Sequence, residues 1–461
     1  MNIRKDSKDI HMSFMNRFLT IFILAFIMVG DALAQSFEEA MSLALGNNPQ
    51  LLAAISEYKA VRQSQYIALS ASLPQIEAYA RSSTNDTKTN CLVDLDGVCN
   101  GVAVDQQVPP FLEEHDTEGW GLNASLSIFT SGKNFNDFRK ARADIVTQKI
   151  SLQNTEQTVL LNAAQAFLDV LRDQALTSLR QKNVEVLERQ FQAVKDQFEV
   201  GIVTRTDVAQ SESRLKLAQS NLLLQNASLS ASRATYQEVI GQPPGRLIPP
   251  EKLPELPELL EQALTIARSN SPILRSAQEI ARGAKYATYS TVAASLPQVR
   301  LFGNYSVMDD PTRMKVGLQD EVTNFGVEVK MPVFTGGRSL AAINASRHVS
   351  NNSKYNVHAA ANQVHKLVTI AWFDFSAAGG RVEASNGQIL ASKIALEGVQ
   401  QERELGTRTT LDVLNAEQEL LDARVAQVKA ERDQILSAYR LLSAIGRLTG
   451  DNLELIPDSL S

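Results

Sequence analysis

The chain has 461 residues, 44% of them hydrophobic and 21% charged, which is too apolar for intrinsic disorder and ordinary for a folded protein. Its 45 Lys and Arg against 51 Asp and Glu give a formal charge of −6, which excludes a binding mode built on surplus cations facing nucleic-acid phosphates. Two cysteines exclude a disulfide-built mini-scaffold, and at about 150 residues per domain the length sets a prior of roughly three domains.

The first element is an apolar run from Phe18 to Val29, preceded by Arg17 and followed by Ala32-Leu33-Ala34. A basic lead, an apolar core too short to span a bilayer and an A-x-A site predict a secretory signal peptide over 1–34, cleaved after Ala34. The remaining 35–461 carry a net charge of −7 and no second long apolar stretch. A helical segment follows at about 37–72, then an alternating segment at 73–83. Next comes a loop with Cys91 and Cys99, which in an exported chain are expected to pair as a disulfide stapling that loop. Such a closure contributes about 2–3 kcal/mol.

A second alternating segment at 119–129 sets Trp120, Leu122, Ala124, Leu126 and Ile128 on one face and Asn123, Ser125 and Ser127 on the other. A helix of 68 residues then runs from 133 to 200, about 100 Å at 1.5 Å per residue. The turn Val200-Gly201-Ile202-Val203-Thr204-Arg205-Thr206-Asp207 ends it: Gly201 can take the left-handed conformation, and Thr204 can cap the next helix, 204–241. Residues 242–259 form a Pro-rich linker.

Beyond the linker the pattern repeats. AMSLALGNNPQL from Ala40 matches ALTIARSNSPIL from Ala263, and Ser72-Leu73-Pro74-Gln75 matches Ser295-Leu296-Pro297-Gln298, both at an offset of 223. From Phe129-Thr130-Ser131-Gly132-Lys133 onward the offset to the second copy is a constant 205, so the first repeat carries 18 extra residues around the cysteine loop. The repeats are 37–241 and 260–446; the second has strands at 296–307 and 323–334, a long helix at 338–405 and the turn Leu405-Gly406-Thr407-Arg408-Thr409-Thr410-Leu411-Asp412. From Leu411 to Leu442 a 3-4 spacing of mostly apolar residues reads as a coiled-coil seam. The matching seam of the first repeat alternates Val208, Leu215, Leu222 and Leu229 with Ser211, Ala218, Gln225 and Ser232, which suits either close packing or a wet lumen.

Strands of eleven residues, apolar on one face and polar on the other, match the wall of an outer-membrane barrel about 25 Å high. Lipid excludes an open sheet edge, and four strands cannot close when the smallest such barrels have eight. The strands must therefore be pooled in a symmetric oligomer; their number permits a dimer, trimer or tetramer.

Together the duplicated helix–hairpin–helix order, the paired SLPQ and FTSGK/FTGGR sites and the two glycine turns resemble the TolC family of outer-membrane efflux and secretion channels. The resemblance implies a mainly α fold with a small β part: a long α-helical coiled-coil barrel continuous with a shared transmembrane β-barrel of twelve strands in a homotrimer. It implies an outer-membrane location extending into the periplasm, lipid contact, and two partners: a periplasmic adaptor and an inner-membrane pump of ABC or RND type. It places the adaptor-contacting tip at Gly201, Ile202, Val203, Thr204, Leu405, Gly406 and Thr407. It makes Arg408 the gate arginine, Asp207 its carboxylate partner and Asp412 a member of a constricting acidic ring. Two positions depart from the family pattern, with Arg403 where the gate tyrosine stands and Asn415 where a second ring aspartate stands.

No HExxH, GxSxG or P-loop pattern occurs, so neither an enzyme nor a resident cofactor or metal is expected. His358 and His365 read as solvated helix residues, and the acidic runs at 94–100 and 113–116 as a solvated hairpin loop. The alternative, an exported coiled-coil structural or adhesive protein without a pore, accounts for the heptads but not for strand pairs at matching repeat positions.

Overall fold

A computed structural model describes residues 34–89, 98–99, 102–103, 111–250, 252–309, 319–453 and 455. The signal peptide up to residue 33 and the Cys91 end of the expected disulfide lie outside the described residues. In chain order the elements are β1 (Ala34–Gln35), α1 (Phe37–Asn47), α2 (Pro49–Arg62), α3 (Ser64–Ser70), β2 (Gln75–Thr89), β3 (Val98–Cys99), β4 (Val102–Ala103), β5 (Phe111–Phe129), α4 (Lys133–Glu199) and α5 (Arg205–Ile240). Then come β6 (Arg246–Leu247), α6 (Leu260–Asn270), α7 (Pro272–Ala293), β7 (Gln298–Asp309), β8 (Gln319–Lys330), α8 (Arg338–Glu404) and α9 (Thr410–Ala444). The chain divides into two compact units, one from residues up to Ser56, Ser151–Leu274 and Ala361 onward, the other from Glu57–Ile150 and Arg275–Ala360.

The second unit holds a four-stranded antiparallel sheet in the order β2-β5-β7-β8. Registered pairs share a face, so Trp120 and Val307, Leu122 and Tyr305, and Leu301 and Val327 line one apolar surface. Most of that surface faces no part of the chain: Phe325 is 87% exposed, Val329 67% and Trp120 49%. Trp120 and Tyr305 meet edge-on at 5.6 Å toward one end of this band, an arrangement suited to the headgroup level of a bilayer. The opposite surface is polar. Asn304 donates to Asn123 at 2.6 Å, and Arg300 pairs with Glu328 at 2.7 Å. On the same surface the Tyr79 ring lies so close over Gly121 that a Cβ there would sit 2.7 Å from it. Among the described strands β2 and β8 are each paired on one side only.

The first unit is helical. Its core joins Phe37, Phe167, Tyr236 and Tyr439, with Phe37 5.2 Å from Phe167 and 5.0 Å from Tyr439. The Tyr236 hydroxyl donates to Gln35 at 2.6 Å, which satisfies a buried polar group that would otherwise cost stability. Further along, Val184 and Leu187 of α4, Leu215 and Ala218 of α5, and Leu414 of α9 form one buried cluster. Leu176, Leu421 and Val425 form another. Ser211, Ala218, Gln225 and Ser232 are all buried, so the small and polar stripe of α5 serves close packing. An ionic cluster crosses the same helices: Arg172 reaches Asp169 and Asp173 at 2.8 Å, and Arg432 of α9 reaches Asp169 at 2.7 Å.

Three expectations shift. The helical segment read as continuous from 37 breaks at Asn48, which accepts from Gln50 N at 2.9 Å and so caps α2, with Pro49 as its first residue. It breaks again at Gln63, and its partner in the second repeat breaks at Ser271 before Pro272. The acidic run 113–116, read as loop, belongs to β5, whose pairing with β2 extends to Phe111.

Candidate functional site

The two turns joining α4 to α5 and α8 to α9 are built from the same bonds. Gly201 has φ 75° and Gly406 φ 77°, the left-handed conformation that ends a helix without a side-chain clash. Ile202 N donates to Gln197 O at 2.9 Å and Thr407 N to Glu402 O at 3.0 Å, closing matching Schellman turns. Each next helix opens with a reciprocal capping box. Asp207 N donates to Thr204 Oγ1 at 3.3 Å while Thr204 N donates to Asp207 Oδ2 at 2.9 Å. Thr409 and Asp412 repeat both bonds at the same two distances. The bonds from Thr204, side chain first and backbone second, lower the Asp207 pKa; those from Thr409, backbone first, lower that of Asp412.

What the turns expose differs. The first presents Val200 and Ile202, exposed by 70% and 73%. The second presents Leu405 and an ion pair in which Arg408 Nε donates to Glu402 Oε2 at 2.8 Å. That bond raises the Arg408 pKa further, so the guanidinium is a fixed positive charge.

The predicted site residues fall as follows. Arg408 and Asp412 lie in one turn and interact through charge, while Asp207 is engaged by its own Thr204 in the other. Within the chain the carboxylate bonded to Arg408 is Glu402. Asn415 accepts from Arg214 at 2.8 Å, a bond from α5 to α9. Arg403 sits close enough to Glu417 to favour its charged form. Glu417 also accepts a bond from Gln190 of α4, yet burial dominates and raises its pKa. Sequence reasoning missed Glu402, Arg214, Gln190 and Glu417. Only Glu402 left a signal, an acid six residues before an arginine across a turn; the other three meet through helix packing. No cluster of three or more metal-ligating side chains occurs among the described residues.

A sheet with one apolar and one polar face, two glycine-turned helix pairs and a complete internal duplication define an outer-membrane channel protein. The family model for outer membrane efflux proteins matches residues 40–242 and 263–447, coinciding with the two repeats, and the chain belongs to that family. It is 32% identical to the outer membrane efflux protein BepC of Brucella suis over 346 residues, 75% of this chain and 76% of that protein. It is 26% identical to the alkaline protease secretion protein AprF of Pseudomonas aeruginosa, over 96% of this chain and 91% of that protein. Its fold matches the Campylobacter jejuni CmeC outer membrane channel with a TM-score of 0.75 at 16% identity, covering 92% of this chain and 90% of that one. The protein is thus an outer-membrane channel component of an efflux or secretion system, with its helices in a tunnel and its strands in a barrel wall.

Proposed function

We propose that three copies form the channel, each giving four strands to a twelve-stranded barrel, and that an inner-membrane pump of ABC or RND type delivers cargo to it through a periplasmic adaptor. The observation that carries this is the sheet itself: an exposed apolar face requires lipid, and the free edges β2 and β8 require another copy. The chain conducts passively, as the channel and secretion proteins it resembles suggest.

The two turns form the periplasmic end. Val200 and Ile202 of the first, with Leu405 of the second, offer apolar knobs to the adaptor. Arg408 is the gate cation. Glu402 holds it within one chain, and Asp207 is the carboxylate it meets across the closed end. An exposed ion pair is weak because water screens it, so a ring of such pairs is a latch that docking can release. Arg408→Ala is expected to raise single-channel conductance in planar bilayers. Unchanged conductance would remove Arg408 from the gate.

A further inference from the structure

The internal duplication fixes more than the shape of one chain, because β2 corresponds to β7 at an offset of 223 and β5 to β8 at 205. Inside the chain the seam between repeats is the β5–β7 pair, with Asn123 opposite Asn304. The seam between copies joins β8 to β2 of the next, so it is the same seam moved along by one repeat. Resting on the trimeric reading above, we infer that β8 pairs with the partner's β2 in the register that sets Glu328 opposite Arg81 of the partner subunit, an ion pair on the polar face of the barrel.

Three observations on the two edges agree with that register. Arg81 shares a face with Tyr79, opposite Gly119, and among the described residues it makes no ion pair within the chain. Glu328 gives Oε2 to Arg300 at 2.7 Å, which leaves Oε1 for a second cation. On the apolar face the same register sets Val329 opposite Ala80 of the partner subunit and Val327 opposite Ser82 of the partner subunit. The large exposed side chains of β8 thereby meet small ones on β2. A slip of one residue would turn every apolar side chain of the edge to the wrong face. Slips of two would set Arg81 against Gly326, which offers no charge, or against Lys330, which repels it.

Disulfide trapping tests the register, because only side chains with Cβ atoms about 3.5–4.5 Å apart bridge without strain. In the full chain with Cys91→Ser and Cys99→Ser, Arg81→Cys with Glu328→Cys is expected to give reducible covalent dimers and trimers in oxidising conditions. Arg81→Cys with Lys330→Cys, and Ser83→Cys with Glu328→Cys, are expected to give at least about fivefold less. The register is overturned if a displaced pair bridges best, or if none bridges while light scattering shows a trimer. A monomer by light scattering overturns instead the trimeric reading beneath it. As a second measurement, Arg81→Glu is expected to lower the temperature at which the detergent-resistant trimer dissociates and Arg81→Lys to preserve it; equal behaviour of the two removes the ion pair.

Discussion

The two repeats keep one backbone geometry at their glycine turns and differ in the side chains presented there. At the turns Gly201 and Gly406, Thr204 and Thr409, and Asp207 and Asp412 keep one geometry, while apolar tips face one side of the duplication and an Arg408–Glu402 pair the other. The long helices show the same division. Asp169 of α4 and Asp374 of α8 are repeat equivalents. Asp169 is held by Arg172 and by Arg432, whereas the positions matching those arginines are Ala377 and Ala227. Capping and glycine turns are thus common to both repeats, while the helix seams differ. The seam within a chain carries an ionic lock whose arginines are alanines at the equivalent positions.

The largest expected effect tests that lock. Asp169→Ala leaves Arg432, only 14% exposed, without its interhelical partner. Losing a fully buried partner costs about 3–5 kcal/mol, and the partial exposure here brings the expectation to about 2–3 kcal/mol. Asp374→Ala is expected to cost under about 0.5 kcal/mol. Thermal or denaturant unfolding in detergent measures both, and equal losses would erase the contrast between the repeats.

The turns give a smaller effect, predicted to be the same in both copies. At Gly201 and Gly406 an added Cβ meets nothing within 4 Å, so Gly→Ala pays only for the left-handed backbone, about 1–2 kcal/mol at each. An asymmetry in the unfolding data would mean that one turn is held by more than its own geometry.

The smallest effects are pH-dependent. Burial raises the Glu417 pKa above its ordinary value of 4.5, so its charged form opposes folding at neutral pH and stability is regained as pH falls through the raised value. Glu417→Gln is therefore expected to be the more stable protein at pH 7, with the difference vanishing below about 4.5. Its exposed repeat equivalent, Glu212→Gln, is expected to stay within about 0.5 kcal/mol of the parent throughout. The capping aspartates run the other way. Their pKa values lie below 3.8, so both caps contribute at neutral pH and are lost together only in stronger acid, as pH falls through the lowered values.

Much of this was legible in the sequence, because period and punctuation act locally. The alternation around Trp120 and Phe325 marked the strands but not their bounds, since Gln75–Thr89 runs past the expected end at 83, Phe111–Phe129 begins before 119 and Gln319–Lys330 stands where 323–334 was expected. The glycine turns gave both long helices to within a residue, Lys133–Glu199 and Arg338–Glu404. The break at Asn48 was equally local: an Asn-Pro pair both caps and starts a helix, but the apolar spacing on either side masked it. The site was read less fully. Its turns are sequence-local and were found. The pairs Arg214–Asn415 and Gln190–Glu417 span more than 200 residues and depend on how three helices rotate against one another. Within the chain Arg408 bonds to Glu402, six residues back across the same turn, a carboxylate the turn brings within reach at little cost in chain entropy.

The bare edges of β2 and β8 also bear on how the molecule is made. A newly exported copy carries two open templates for strand addition, and any extended chain can occupy them before the proper neighbour arrives. A barrel pooled from several copies needs successive encounters, so its yield depends steeply on local concentration, while misfolding competes at every step. The two open edges thus make the lone copy, rather than the finished barrel, the state most exposed to mispairing.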